Sequence, residues 1–318
     1  MGSKMRNQDR SDTKEIHEGR CIGCGSTKTS FFFKGPDRLQ EKSADYSLYR
    51  CDKCDTKFLF PTPKNNLFPE LYPDDYLPHK SQKSNHPDWL NQKGVMKQIR
   101  TVNRASLRKG RAIDVGFGSG IFLAALQRDG WVATGIEPKH QTSLKVKMEY
   151  GISTITGDIH YPPFPPSSFD LITFWDVLEH LAHPVLTIRN AYKLSKPLGT
   201  LIISVPNPAS LEAKIFKKYW AGWDIPRHNW IFTLDVLKKI LQENNWEVTK
   251  ISYFRGRYWL LAQSIRFLLQ ERNFPKILII ISTWFIQSLA GRMLFFPIFI
   301  VLEKFRLSSI VVLTAKRL

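Results

Sequence analysis

The four cysteines of the chain stand in two pairs, Cys21-x-x-Cys24 and Cys51-x-x-Cys54, with 26 residues between the pairs. Thiolates at this spacing on a tight turn face one metal ion, and two such turns close a tetrahedral four-sulfur shell. Gly25, directly after the second cysteine, supplies the backbone freedom such a turn uses. The expectation is a structural zinc ribbon with no open coordination position. A redox dithiol and a pair of disulfides compete with it; the paired spacing and a reducing setting favour zinc.

A second set of residues points to nucleotide chemistry. A short apolar run leads into Asp114, followed by Gly116, Gly118 and Gly120 and then by the apolar helical stretch IFLAALQRDG. Glycines at a strand-to-helix bend let the backbone pass close to a ligand, and the helix N-terminus beyond it favours a carboxylate. A dinucleotide site looks similar, but its G-x-G-x-x-G fingerprint wants glycine where Ile121 stands. Asp114, at the strand end, is placed to receive a ligand ammonium. The third set is imidazole: His180, His183 and His228 titrate near neutral pH, which suits proton abstraction.

The bend resembles the first motif of the class I S-adenosylmethionine-dependent methyltransferases, D-x-G-x-G-x-G, matched from Asp114 to Gly120. The likeness continues in order through VATGIE at Val132–Glu137, Gly157-Asp158-Ile159, and FDLITFWDVLEHL at Phe169–Leu181. It ends with Pro197-Leu198-Gly199-Thr200 and LIISVPN, where the family's usual turn has glycine in place of Leu198. The resemblance covers 97 of the 318 residues. It implies that Asp114 takes the amine of S-adenosylmethionine and that Glu137 accepts from its ribose hydroxyls. It further implies that Asp158 and Ile159 lie at the adenine and that Asp176 faces the cofactor. For each acid taken singly, a helix cap or a solvated loop charge is the competing account.

The segment WAGWDIPRHNWIFT around His228 resembles the P-R-H-x-x-x-F-S/T stretch of bacterial methyltransferases acting on sugars, quinones and small metabolites. His228 and His180 are therefore the candidate catalytic bases. The competing account of His228 is a structural imidazole bonded to a loop carbonyl; that of His180 is a contact at a helix start. His183, before Pro184, reads as structural. Zinc-ribbon-bearing sugar C-methyltransferases are similar in this segment but carry a further C-terminal domain that this chain lacks.

Several acceptors are argued down. Amino-methylating nucleic-acid enzymes place Asp/Asn-Pro-Pro-Tyr/Phe after the fourth strand, where this chain reads Trp175-Asp176-Val177-Leu178. Tyr161-Pro-Pro-Phe164 imitates that motif but follows the third strand. Pyrimidine C5 methylation lacks its cysteine, since none follows Cys54.

The elements that must position these groups follow from periodicity. Apolar runs alternate with amphipathic stretches from about residue 96 to 253, which predicts repeated βα units in an α/β domain with a mainly parallel sheet. Strands are expected at Ala112–Val115, Val132–Ile136, Ser153–Thr156, Leu171–Trp175, Thr200–Val205, Trp246–Tyr253 and Ser309–Ala315. With the resemblance, this becomes a Rossmann-like, seven-stranded class I sheet at 96–318, preceded by a disordered tail (1–20), the ribbon (21–60) and a Pro-punctuated linker (61–95). Between the last two strands, 255–308 form a helical insertion: an amphipathic run, YWLLAQSIRFLLQ, then apolar runs Ile277–Ala290 and Met293–Leu302 around a Gly291-Arg292 turn. Both runs fall short of the roughly 20 residues a spanning helix needs. An in-plane hairpin in one leaflet suits them better.

Charge sets the remaining expectations. With 46 Lys and Arg against 28 Asp and Glu the net charge is +18, so nucleic acid, an anionic membrane or phosphorylated ligands could be attracted. From Arg255 to Leu318 there are ten basic and two acidic residues, beside the apolar runs. This favours an anionic cytoplasmic lipid surface, met through residues 258–305, over nucleic acid. Residues 1–20 carry no apolar stretch of a secretory signal, so a cytoplasmic chain, peripheral on the inner membrane face, is expected. The acceptor is then a small or lipid-linked molecule: a sugar, polysaccharide precursor, quinone or lipid-like metabolite. The alternative is an RNA-binding ribbon protein with an RNA-methylating or silent core.

Overall fold

The computed structural model describes residues 20–63, 68–73, 89–106, 108–254 and 257–318. The expected tail therefore lies outside the described residues except for Arg20. The ribbon opens with an antiparallel hairpin, β1 (Thr29–Asp37) and β2 (Lys42–Cys51), and continues in β3 (Lys57–Leu59), antiparallel to β2.

Seven further strands build the main sheet: β4 (Arg111–Val115), β5 (Val132–Glu137), β6 (Ser153–Thr156), β7 (Phe169–Trp175), β8 (Ser195–Pro206), β10 (Trp246–Ser252) and β11 (Ile310–Arg317). Their order is β10-β11-β8-β7-β4-β5-β6, parallel except that β11 runs antiparallel to both β8 and β10. All seven expected strands are present. Alternation explains why the sheet holds: Ile113, Ile172, Ile203 and Leu313 face one buried side, while Ala112, Leu171, Ile202 and Val312 face the other. Helices α1 (Trp89–Ala105), α2 (Ile121–Arg128) and α3 (His140–Tyr150) cover the second side; α4 (Pro184–Leu194) and, beyond the short α5 (Leu211–Phe216), α6 (Leu234–Glu243) cover the first. The chain reverses its direction of winding between β4 and β7, which opens the ligand crevice at their carboxyl ends.

Two boundaries differ from expectation. The ribbon does not close on itself at residue 60: β9 (Trp230–Ile231), just after His228, adds a fourth strand to it by pairing with β3. Burial drives this, since Phe58, Trp230 and Ile231 are nearly inaccessible and the Phe58 and Trp230 rings lie 5.8 Å apart. The linker is also shorter, because α1 already starts at Trp89.

The insertion holds three helices, the amphipathic run as α7 (Arg257–Glu271) and then the apolar α8 (Lys276–Gln287) and α9 (Leu289–Lys304). Helix α7 is a core element, with Leu260 and Phe267 buried and Ser264 Oγ accepting from the Ala221 amide. The break falls at Ser288, whose hydroxyl caps α9 by accepting from Gly291 N–H, so Gly291-Arg292 lie inside the helix and form no turn. Helices α8 and α9 meet at a 66° bend. Among the described residues no single helix is long and apolar enough to cross a membrane, although this bent pair has the length and composition to do so.

Candidate active site

Strand β4 delivers Asp114 to the crevice, and the bend after it turns on Gly116 (φ 67°), Gly118 (φ 53°) and Gly120 (φ 73°). Left-handed backbone is cheap only for glycine. Space adds a second reason: a Cβ at Gly116 would lie 2.7 Å from Val177, and one at Gly120 2.6 Å from Val146. Gly120 then starts α2, whose first amides face the crevice end.

The acids surround this bend. Asp114 is buried and accepts a 2.6 Å hydrogen bond from Thr173 Oγ1. Glu137, at the end of β5, accepts from Gly118 N–H and Lys139 N–H, each at 3.3 Å. Burial pushes its carboxyl up, against the pull of those two amides. A carboxylate has about four acceptor sites, so lone pairs remain for two hydroxyls. Asp176 follows β7 in a left-handed conformation (φ 58°) and accepts from Ser204 Oγ at 2.6 Å. Asp158 is half-exposed; its partial burial raises the carboxyl, but hydrogen bonds from the His160 ring and amide outweigh that and hold it low. Ile159 buries its side chain in the core, and its carbonyl accepts from Asn190.

The two histidines come together. The His180 and His228 rings lie 4.5 Å apart, edge to face. His228 Nδ1 lies 3.0 Å from the Gly222 carbonyl; a carbonyl can only accept, so Nδ1 carries the proton and Nε2 the lone pair. The loop-carbonyl bond of the competing account therefore exists, and it also fixes the tautomer a base needs. His228 Nε2 is 3.9 Å from both Glu179 Oε1 and Asp224 Oδ2. Burial drives both imidazoles down: His228 below its ordinary value, and His180, with the charge of His228 adding, to about 3. Both rings are neutral at pH 7. His183 serves α4 instead, its carbonyl accepting from Thr187 N–H.

Tyr72, from the expected linker, ties these groups to the cofactor side. Its hydroxyl is 3.0 Å from His180 Nδ1, and its carbonyl accepts from Lys139 Nζ, two residues beyond Glu137. Arg227 Nη1 and Nη2 donate to Asp37 of β1 at 2.8 Å each, and Nε and Nη2 donate to Asp224. Spacing alone missed Tyr72, Asp37, Asp224, Arg227 and Glu179. The P-R-H stretch contained Arg227, and the pair Glu179-His180 was already in view as a helix start.

At the ribbon end, the four sulfurs lie within 4.8 Å of one another, Cys21 to Cys54 and Cys24 to Cys51 at 3.4 Å, with all four thiols free. The two knuckles match: Gly25 and Asp55 each follow the second cysteine with φ of 68° and 61° and donate to the carbonyl of the first. A shell of about 2.3 Å Zn–S bonds has sulfur–sulfur edges of about 3.8 Å. The cluster could hold one metal ion with little adjustment.

Comparison with known proteins agrees with this geometry. A family model described as a methyltransferase domain matches residues 91–251, half of the chain. The ubiquinone biosynthesis O-methyltransferase of Coxiella burnetii is 31% identical over 134 residues, covering 38% of this chain and 57% of that protein. Its namesake from Paracidovorax citrulli is 34% identical over 111 residues, 32% of this chain and 46% of that one. The chain thus spans about half the length of these relatives. In fold, it is similar to the 4+2 cyclase SpnF, with a TM-score of 0.50 at 18% identity over 79% of this chain and 92% of that one. Matching sheet order, glycine bend and family model together, the chain belongs to the class I methyltransferase domain family.

Proposed function

We propose that this protein transfers a methyl group from S-adenosylmethionine to a hydroxyl of a sugar-, quinone- or lipid-like acceptor, with a structural zinc ion in the ribbon. The cofactor supplies an electrophilic methyl on a sulfonium sulfur and leaves as a neutral thioether. Asp114 would hold its amino group, Glu137 its ribose hydroxyls through the remaining lone pairs, and Asp158 and Ile159 its adenine, with Asp176 along its flank.

The observation that supports the reading is the Tyr72 bridge, whose hydroxyl meets the His180 side of the His180–His228 pair and whose carbonyl meets Lys139, two residues beyond Glu137. His228 Nε2 would take the acceptor's hydroxyl proton as the oxygen attacks. The positive charge gained by the ring is then stabilised by Glu179 and Asp224, both 3.9 Å away. The likeness to two ubiquinone biosynthesis O-methyltransferases supports a hydroxyl acceptor.

Calorimetry with S-adenosylmethionine tests the site. The native chain should bind it, and Asp114→Ala and Glu137→Ala should each weaken binding at least about tenfold, as loss of a charged hydrogen bond implies. Binding of a nicotinamide dinucleotide in its place, or unchanged affinity in both variants, would overturn the assignment.

A further inference from the structure

Helices α8 and α9 are largely apolar yet bury only one narrow stripe each, Ile279 and Ile286 on α8 and Gly291, Phe299 and Leu302 on α9. Outside those stripes, Ile277, Ile280, Trp284, Met293 and Leu294 are 60–69% exposed. A contiguous apolar face of this kind on a folded chain marks an interaction surface. We propose that the bent α8–α9 pair seats itself in one leaflet of an anionic lipid bilayer.

Polar groups within the pair meet the demand a low-dielectric medium makes, that each be bonded inside the protein. Ser282 and Thr283 hydroxyls donate to the Ile279 carbonyl, both at 2.9 Å, and Gln287 Nε2 donates to the Thr283 carbonyl. Arg292, inside α9, donates to the Gln287 carbonyl and lays its guanidinium over the Tyr258 ring. At 12 and 16 residues, the helices reach about 18 and 24 Å, short of the roughly 30 Å hydrocarbon core. With a 66° bend between them, in-plane insertion fits better than a span.

Charge selects lipid over a second copy of the chain. Arg272 and Lys276 stand exposed at the start of α8, and Lys304 and Arg306 at the end of α9. The acids nearby are already engaged, Glu303 with Lys97 and Glu271 with Arg38 and Lys218. A self-complementary dimer through this face would bring one set of four cations towards an identical set, whereas lipid phosphates complement them.

The pair is rooted at the crevice. Phe254, just before the insertion, packs its ring 6.5 Å from that of Trp175, the residue before Asp176. On the return, Asn207 at the end of β8 bonds to Ser308 and Ser309 carbonyls. Docking would therefore hold the active-site mouth at the lipid surface. That the acceptor is lipid-borne rests on the proposed methyl transfer; the docking itself does not.

Flotation of the full chain with phosphatidylglycerol-containing vesicles, against pure phosphatidylcholine, tests the inference. The chain should float with the anionic vesicles. The variant Arg272→Gln/Lys276→Gln/Lys304→Gln/Arg306→Gln should lose at least about tenfold in partition, since each base near the surface contributes severalfold. Ile280→Ser/Trp284→Ser/Met293→Ser/Leu294→Ser should stay at the bottom. Both variants should keep the native far-ultraviolet circular dichroism and cooperative thermal unfolding, which certifies folding without reference to S-adenosylmethionine and keeps this test apart from that of the site. No flotation of the native chain, or equal flotation with neutral vesicles, overturns the docking. So does a dimer in light scattering that the serine variant dissociates.

Discussion

Arg227 is held by Asp37 through two parallel 2.8 Å hydrogen bonds, with both side chains fully buried, although 190 residues separate them. The same guanidinium binds Asp224 at the head of the loop that presents His228. A ribbon strand and the acceptor-side loop are thus locked by one cation. Arginine suits this position because its planar fork serves two carboxylates at once.

Removing that cation leaves two buried carboxylates without their counter-charge. Arg227→Ala should destabilise the chain by about 3–5 kcal/mol. Urea unfolding measures it, and a double-mutant cycle with Asp37→Ala should show coupling above about 1 kcal/mol. Additive losses would show that the contact carries no specific energy.

Acid should weaken the fold through the two buried histidines. His180 has an ordinary value of 6.5 and is pushed down to about 3 in the folded chain; His228 is shifted in the same direction. Between pH 6.5 and about 3 the unfolded chain therefore binds protons that the folded chain refuses. The histidines' share of the stability is complete above pH 6.5 and is lost as pH falls through that window, whereas buried Glu212, its carboxyl pushed up to about 8, acts in the opposite direction. Each histidine contributes up to about 1.4 kcal/mol per pH unit. His180→Gln should flatten the decline between pH 6.5 and 5, where Asp224, held low by Arg227 against its burial, does not titrate. An unchanged slope would mean that His180 is protonated in the folded state.

The base should separate from the binding residues in kinetics. His228→Gln keeps a buried polar side chain but loses the basic nitrogen, so kcat should fall by about 10²–10⁴ with S-adenosylmethionine affinity unchanged. Tyr72→Phe removes only the hydroxyl at His180 and should cost less. A His228→Gln enzyme with native kcat would leave positioning as that ring's whole contribution.

What could be read from the sequence follows the range of the interactions. The main sheet was legible because alternation at residues such as Ala112, Ile113, Leu201 and Ile202 is local and both faces are buried. The glycine bend and its acids were legible because they sit within a few residues of strand ends. The Asp37–Arg227 lock and the Tyr72 bridge join distant segments, and Tyr72 lies in a stretch without periodicity. Strand β9, at two residues, is too short to show a pattern. The helix break was misplaced because Gly291 looks like punctuation. It is glycine because a Cβ there would meet the Phe285 carbonyl at 2.0 Å, and the local signal was the serine cap three residues earlier.

The ribbon should matter to the acceptor side more than to the cofactor side. Its cysteine knuckles hold β2 and β3, β3 carries β9, and β9 starts two residues after His228. The glycine bend hangs on β4 and β5 in the main sheet. Metal analysis should give one zinc per chain, and Cys51→Ser should abolish it, because three thiolates leave the shell open. Stripping the metal with a chelator should lower the thermal midpoint and raise the acceptor KM severalfold, while S-adenosylmethionine affinity changes little. If the stripped protein keeps its midpoint and its acceptor KM, the ribbon stands on the β3–β9 pairing and the Arg227 lock alone, and the four sulfurs are dispensable to the site.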